Sequence, residues 1–323
     1  MRNDLDDKAR AIQEIANQLG WNNDITTLID RVNQLDQGLI QEDEFIYIIN
    51  WHGKCKLIHK LDQLQLPNDS KSHYTIPDIL VEVETSEGLK KFIIEIKTSK
   101  KNKLSWTEDY FQGLINYSNL VQIPILIAWK WSLFQLWSLF EIKHFEKPNL
   151  NYKIIFEKAY QENLMSKYFG EFIIIPFEEF GLNISMKKIK KISEKINDVG
   201  NLEIGWETNI DEIYLSGKDN CKVKEIDKGI LAILLSMSTE EKIIENETHI
   251  VKRYIPYPNK MQFSQNIPII LTKAFSNEAI NWLHKSKDNI YPVVYDEFLL
   301  SLEKGVEDGL IQYVLFPKPL SEE

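Results

Sequence analysis

Cysteine is nearly absent. Cys55 and Cys221 are the only two in 323 residues, far apart and in no CxxC pair. That excludes a disulfide framework and a cysteine-based zinc knuckle, and it suits a reducing compartment. The opening MRNDLDDKAR is polar and lacks the apolar run of a signal peptide, so a cytoplasmic location is expected. There is no internal repeat and no low-complexity tract. Positive charge is also in short supply: 38 Lys and Arg stand against 48 Asp and Glu, a net charge of −10. Such a balance argues against tight, indiscriminate gripping of a phosphate backbone, although distribution matters more than the total. Two lysine clusters stand out, one at Lys97, Lys100, Lys101 and Lys103, the other at Lys187, Lys188, Lys190, Lys191 and Lys195.

One stretch, IPILIAWKWSLFQLWSLF from Ile123 to Phe140, approaches the length of a membrane span. It opens with β-type residues behind a proline and carries Lys130, Ser132, Gln135 and Ser138. A buried strand running into a second apolar element fits it better, and no membrane partner is expected.

What is present is ordinary globular material: 43% apolar and 27% charged residues, enough for a core and long enough for two domains. Helical spacing covers residues 5–19 and 24–35, and a third helix is expected over about 38–50. Strand character continues over residues 56–64, 76–85 and 90–98, with a polar loop at 67–74. Residues 105–121 read as a helix and 123–131 as a strand, so residues 38–131 run α-β-β-β-α-β. Pro148, Asn149 and Asn151 suggest a linker. The expected division is a helical segment 1–35, an α/β domain 36–147 and an α+β domain 148–323. In the last, strands are expected over 172–175, 267–271 and 310–316, and helices over 187–195, 277–284 and 297–305.

Side chains alternate along strands, so Asp78, Leu80, Glu82 and Glu84 share one face, and Ile79, Val81 and Val83 the other. On the next strand Phe92, Ile94 and Ile96 are apolar, while Glu95 and Lys97 point the opposite way with Lys91 and Ile93. A tight turn centred on Glu87-Gly88 would set Asp78 opposite Lys97, Leu80 opposite Glu95 and Val83 opposite Phe92. Asp78 and Glu95 then become diagonal neighbours. Two carboxylates so close repel each other, which a hard divalent cation relieves. Water on that cation can attack a phosphodiester, and a lysine beside it can orient the nucleophile and offset developing charge.

Ile76-Pro77-Asp78 followed by Glu95-Ile96-Lys97 resembles the PD-(D/E)XK signature of the restriction-endonuclease-like nuclease superfamily. The resemblance covers about a third of the chain. It implies an α/β fold with that superfamily's α-β-β-β-α-β core and mixed sheet, joined here to a second α+β domain. It also implies Asp78 and Glu95 as ligands of Mg²⁺ or Mn²⁺, the Ile96 carbonyl as a third ligand, and Lys97 as the catalytic lysine. An acidic residue from the preceding helix commonly supports such a metal, which points to Glu44 first and Glu42 behind it. Many RecB-like and Cas4-like members add Q-x-x-x-Y in the next helix. Here Gln112 and Tyr117 are one residue too far apart, so Gln112 transfers weakly and Tyr117 more weakly. Lys100, Lys101 and Lys103, with Gln112, are candidates for contacting a nucleic-acid backbone.

The implied activity is hydrolysis of DNA phosphodiesters by a metal-dependent endonuclease, in restriction, phage defence or mobile-element processing. Duplex cleavage would call for a homodimer, and a partner subunit in a larger nucleoprotein complex is the other arrangement. A catalytically idle nuclease fold, or an RNA-directed nuclease, is the alternative. Trp106, Trp129, Trp131 and Trp137 read as core or interface residues before they read as base-stacking ones. His52, His59 and His73 read as structural.

Overall fold

The computed structural model describes residues 41–62, 64–196, 198–257, 261–262 and 295–322. The expected helices at 5–19, 24–35 and 277–284 and the strand at 267–271, hence the whole segment 1–35, lie outside these residues.

The first helix, α1, covers residues 41–51. Phe45, Ile48 and Ile49 are fully buried and spaced to form one stripe facing the sheet. The chain leaves the helix through Gly53, whose φ of +72° only glycine takes without strain. Then come β1 (Cys55–Lys60), β2 (Ile79–Thr85), β3 (Gly88–Ser99) and a short β4 (Lys103–Trp106). Helix α2 (Glu108–Val121) precedes β5 (Ile125–Trp131) and β6 (Leu136–Glu141). Five of these strands form a mixed sheet in the order β1-β2-β3-β5-β6. Only β3 and β5 run parallel, and α2 supplies the crossover that a parallel pair needs. The element order expected over residues 38–131 is therefore observed, with β4 added.

Central strand β3 is covered on both faces. Ile94 and Ile96 pack with α1, Val81 and Ala128; Ile93 packs with Leu114 of α2, Ile127 and Trp129. A strand buried on both sides reads as a continuous apolar run, and Phe92-Ile93-Ile94-Glu95-Ile96 is such a run with one acid inside it. The stretch Ile123–Phe140 is resolved into the β5–β6 hairpin, which buries Lys130. Among the described residues no helix is long and apolar enough to cross a membrane.

The linker expected at Pro148 is not a boundary between packed units. Strand β7 (Tyr152–Ile155) pairs with β4, and α3 (Phe156–Gln161) buries Phe156 and Ala159 against Trp129 and Leu114. The apolar core against α1 also continues through α4 (Met165–Phe169) and β8 (Ile173–Pro176) into the later half, taking in Phe172, Ile174 and Leu215.

Beyond this lie β9 (Gly181–Ile196), β10 (Leu202–Ser216), β11 (Lys222–Val223), α5 (Lys228–Ser236), β12 (Ser238–Glu245) and β13 (His249–Tyr257). After them come β14 (Met261–Gln262), α6 (Tyr295–Glu307) and β15 (Ile311–Leu315). Their sheets are ordered β11-β10-β9-β13-β12 and β14-β8-β15. The strands expected near 172–175 and 310–316 and the helix near 297–305 are present.

The helix expected over Lys187–Lys195 is not. Those residues belong to β9, paired with β10 from Ser216↔Gly181 to Leu202↔Ile196. Isoleucines at 189, 192 and 196 imitate the spacing of a helical stripe. A stripe forms a helix only where a core receives it, and these three are 53%, 64% and 72% exposed. With no core to face, the hydrogen-bonding edge of β10 and the β preference of isoleucine decide.

Candidate metal centre

The hairpin that carries the acids is closed by Ser86 and Glu87, one step earlier than expected. Observed pairs include Ile79↔Ile94, Val81↔Phe92, Glu82↔Lys91 and Thr85↔Gly88. Val83 therefore faces Lys90, not Phe92, and the expected register is displaced by two residues. The cause is local. A turn centred on Glu87-Gly88 would need positive φ at both positions, which glutamate resists. Instead Gly88 alone takes positive φ, +105°, just past the turn. Thr85 ties the loop by donating its hydroxyl to the Gly88 carbonyl at 2.8 Å and accepting the Glu87 N–H at 3.2 Å.

A displacement of two preserves faces, because side chains alternate with period two. It changes which acid meets which residue. The ladder ends at Ile79↔Ile94, and Asp78 just beyond it bonds to Ile94 and Ile96 instead of pairing with Lys97. The Asp78 N–H donates to the Ile94 carbonyl at 3.1 Å, and Asp78 Oδ2 accepts the Ile96 N–H at 2.6 Å. In an antiparallel strand one residue's N–H and C=O leave on the same side. The Ile96 carbonyl thus points to the open side of β3 where Asp78 sits.

Glu95 is 2% exposed, the one acid within the apolar run of β3. Its Oε1 accepts hydrogen bonds from the Lys97 ammonium and the Tyr110 hydroxyl. Its Oε2 is buried and has no hydrogen-bond partner. Burial, then the neighbouring Glu95 charge, raises the Asp78 carboxyl from its usual 3.8 to about 7. Burial by itself would lower the Lys97 ammonium, but Glu95, Tyr110 and Asp78 outweigh it and hold the proton on well above the ordinary range. Tyr110 is raised too, by burial and then by Glu95, so its hydroxyl stays a donor.

The residues present fit a hard divalent cation. An orphaned buried carboxylate oxygen and a second carboxyl whose pKa is raised, first by burial and then by its acidic neighbour, are what two acids look like when the compensating charge is left out. The available donors are the Asp78 carboxylate, Glu95 Oε2 and the Ile96 carbonyl. Among the described residues no group of three or more His, Cys, Asp or Glu side chains forms a metal cluster.

Glu44 is not part of this centre. It is 7% exposed on the opposite face of the sheet, held by Lys130 at 2.7 and 2.8 Å and by the Trp137 indole at 3.1 Å. Lys130 sits across from Thr98, on the face of Ile94 and Ile96. Glu42, one helical half-turn earlier, is the acid of α1 that feels the site. Burial raises its carboxyl, Lys60 and then Lys97 oppose this, and Asp43 and Glu95 add to it. Gln112 is exposed and donates to Asn116 at 2.8 Å. Two residues past Tyr110 it points about 200° away around the helix, off the face that meets Glu95.

Lys100, Lys101 and Lys103 are exposed at the end of β3 and the start of β4. Lys103 borders a cleft of about 480 Å³ with His144, Lys153 and Lys158. Trp106, Trp129 and Trp137 are buried and Trp131 half-buried. His52 is fully buried with Nδ1 2.8 Å from the Ile48 carbonyl, and burial lowers it to about 4, so it is a neutral core residue. His59 and His73 are exposed.

Sequence reading missed Tyr110. The signal was there: it lies one turn before Leu114, which faces the sheet, and four residues after Trp106, which stands edge-on to its ring at 5.3 Å.

No protein-family model matches the chain, and no curated protein matches it either. Among solved structures, Hjc, a Holliday junction resolvase from the archaeal hyperthermophile Archaeoglobus fulgidus, is similar over 40% of this chain and 90% of its own. The identity is 20% and the TM-score 0.31.

Proposed function

We propose that the protein is a metal-dependent nuclease of the PD-(D/E)XK type that hydrolyses DNA phosphodiesters. One observation carries the reading: Glu95, buried in the central strand beside Asp78 and Lys97, with a carboxylate oxygen that no donor satisfies. The order helix, three strands, helix, strand around it supports a restriction-endonuclease-like core.

Asp78, Glu95 Oε2 and the Ile96 carbonyl would hold Mg²⁺ or Mn²⁺. When bound, such an ion supplies Lewis acidity and an activated water. Ionised Asp78 is required for that role, and its raised pKa makes the step proton-linked. Lys97 acts as a fixed positive charge, not a base, because the surrounding acids keep it protonated. Its ammonium can hold a phosphate oxygen and offset the negative charge that grows on the phosphorus oxygens during attack. Glu42 is placed to add carboxylate charge from α1. Lys100, Lys101 and Lys103 continue from the same strand and can position the backbone of a bound strand. One such centre cuts one strand, so duplex cleavage takes two copies or two successive nicks.

The net charge of −10 favours a second reading, a nuclease fold that has kept its shape without its chemistry. The two separate in one experiment. Single-stranded, duplex and modified DNA, and RNA, are incubated with Mg²⁺ or Mn²⁺ and the wild type, Asp78→Ala or Lys97→Ala protein. Cleavage lost in both variants and on chelation is expected. Equal cutting by all three proteins would overturn the site, and no Mn²⁺ binding by the wild type would favour the idle fold.

A further inference from the structure

A carboxylate buried in an apolar strand is most stable when each oxygen has a donor. Glu95 does not have this arrangement. Two donors, the Lys97 ammonium and the Tyr110 hydroxyl, converge on Oε1, while the equally buried Oε2 has none. An unsatisfied buried oxygen costs about 1–3 kcal/mol. The fold therefore maintains an imbalance that a small rotation of the carboxylate could relieve.

Tyr110 is built to keep it so. Helix α2 starts one turn earlier at Thr107, whose side-chain oxygen accepts the Tyr110 N–H at 3.4 Å. The ring stands edge-on to Trp106, whose side is itself covered by Phe145 at 4.4 Å between centroids. The Lys97 ammonium lies 5.6 Å from the centre of the same ring. The phenol is thus held through its backbone and by two ring neighbours before its hydroxyl reaches Glu95.

We propose that Tyr110 is a positioning residue for Glu95: by anchoring Oε1 together with Lys97, it turns Oε2 toward the divalent cation and holds it there. This rests on the metal-nuclease reading above. Lys97 alone cannot perform this role reliably, because an ammonium on a flexible stem rotates about its own axis and moves with the carboxylate. A phenol hydroxyl on a packed ring does not. Outer partners of this kind typically set metal affinity by about 10–100-fold.

The test is calorimetric titration of the metal-free full chain with Mn²⁺, with thermal unfolding recorded on the same samples. Tyr110→Phe removes the hydroxyl and keeps the ring against Trp106. It is expected to weaken Mn²⁺ binding about tenfold or more, with unchanged stoichiometry and a metal-free melting temperature close to wild type. Ser118→Ala is the control, since it loosens the far end of α2, where its hydroxyl donates to the Ile123 carbonyl at 2.7 Å, and touches neither Tyr110 nor Glu95. It is expected to lower the melting temperature and leave the Mn²⁺ affinity within about twofold. In a Glu95→Gln background, Tyr110→Phe should cause no further loss. Equal affinity in wild type and Tyr110→Phe would overturn the role of Tyr110 and leave the nuclease reading standing. So would parallel losses in Tyr110→Phe and Ser118→Ala, or a loss that persists in the Glu95→Gln background. Absence of Mn²⁺ binding by the wild type would instead remove the metal centre itself.

Discussion

At the scale of single residues, the proposed chemistry rests on three side chains whose charges are set by one another. Asp78 shows it best. Its folded pKa of about 7 lies above its ordinary 3.8, so between those values the native state holds a proton that the unfolded chain has released. Stability of the metal-free protein therefore falls as pH rises through that window and stays lowered above it. Asp78→Asn keeps an oxygen for the Ile96 N–H and removes the charge. It is expected to raise metal-free stability at pH 8 by about 1–3 kcal/mol and change little at pH 4, as read by denaturant unfolding at the two pH values. The same proton must leave before a cation binds. Mn²⁺ affinity of the wild type should therefore fall about tenfold per pH unit below 7, and level off above it. That Asp78, Glu95 and Lys97 come together was legible in the sequence because strand alternation is local. Tyr110 was not, since its partner lies fifteen residues away across a strand-to-helix connection.

At the scale of elements, α1 shows how two acids on one helix acquire different work. Glu44 is sealed against Lys130 and Trp137, whereas Glu42 lies 3.8 Å from the Lys60 ammonium and within electrostatic reach of Lys97 and Glu95. Glu44→Ala leaves the Lys130 ammonium buried without a counter-charge and is expected to cost about 3–5 kcal/mol of stability. Glu44→Ala/Lys130→Met should recover much of that, and Mn²⁺ affinity per folded molecule should be little changed. Glu42→Ala should do the reverse, sparing stability and weakening Mn²⁺ binding. Unfolding and calorimetry on the same three variants check both. The choice between the two acids was invisible in sequence, because it depends on which face of α1 meets the sheet. Helix α2 carries a further constraint. A Cβ on Gly113 would lie 2.4 Å from Thr75 Oγ1 and 3.1 Å from the Thr75 amide nitrogen. Thr75 begins the short segment that delivers Asp78. Gly113→Ala should gain about 1 kcal/mol in helix propensity and lose more to the clash. A net destabilisation with weakened Mn²⁺ binding is expected, eased by Thr75→Ala.

At the scale of the whole molecule, the expected boundary at residue 147 fails because burial crosses it. Strand β7 completes the β4 ribbon, α3 covers Trp129, and one apolar core joins Phe45 and Val81 to Phe172, Leu215 and Phe298. A fragment ending at residue 147 would expose these surfaces. It is expected to lack a cooperative thermal transition, while the full chain unfolds in one main calorimetric step. The linker signal was genuine as local chemistry, since Pro148, Asn149 and Leu150 are exposed. A polar turn, however, marks where the chain meets solvent, not where a core stops. The outer half of the β9–β10 ribbon is the converse case, a stretch whose periodicity promised a helix and whose isoleucines reach no core.

Sequence alone determined the features that near neighbours set. It settled which residues of β2 and β3 share a face, which helix and strands surround them, and that an acid sits within an apolar run. Each depends on a repeat of two or about 3.6 residues that the chain carries within itself. Tertiary structure set Glu44 against Lys130 and Glu42 toward the other side of the sheet, brought Tyr110 to Glu95, and made a ribbon of residues 187–196. Those outcomes depend on which surfaces are available to pack or pair, and that is a property of the assembled core.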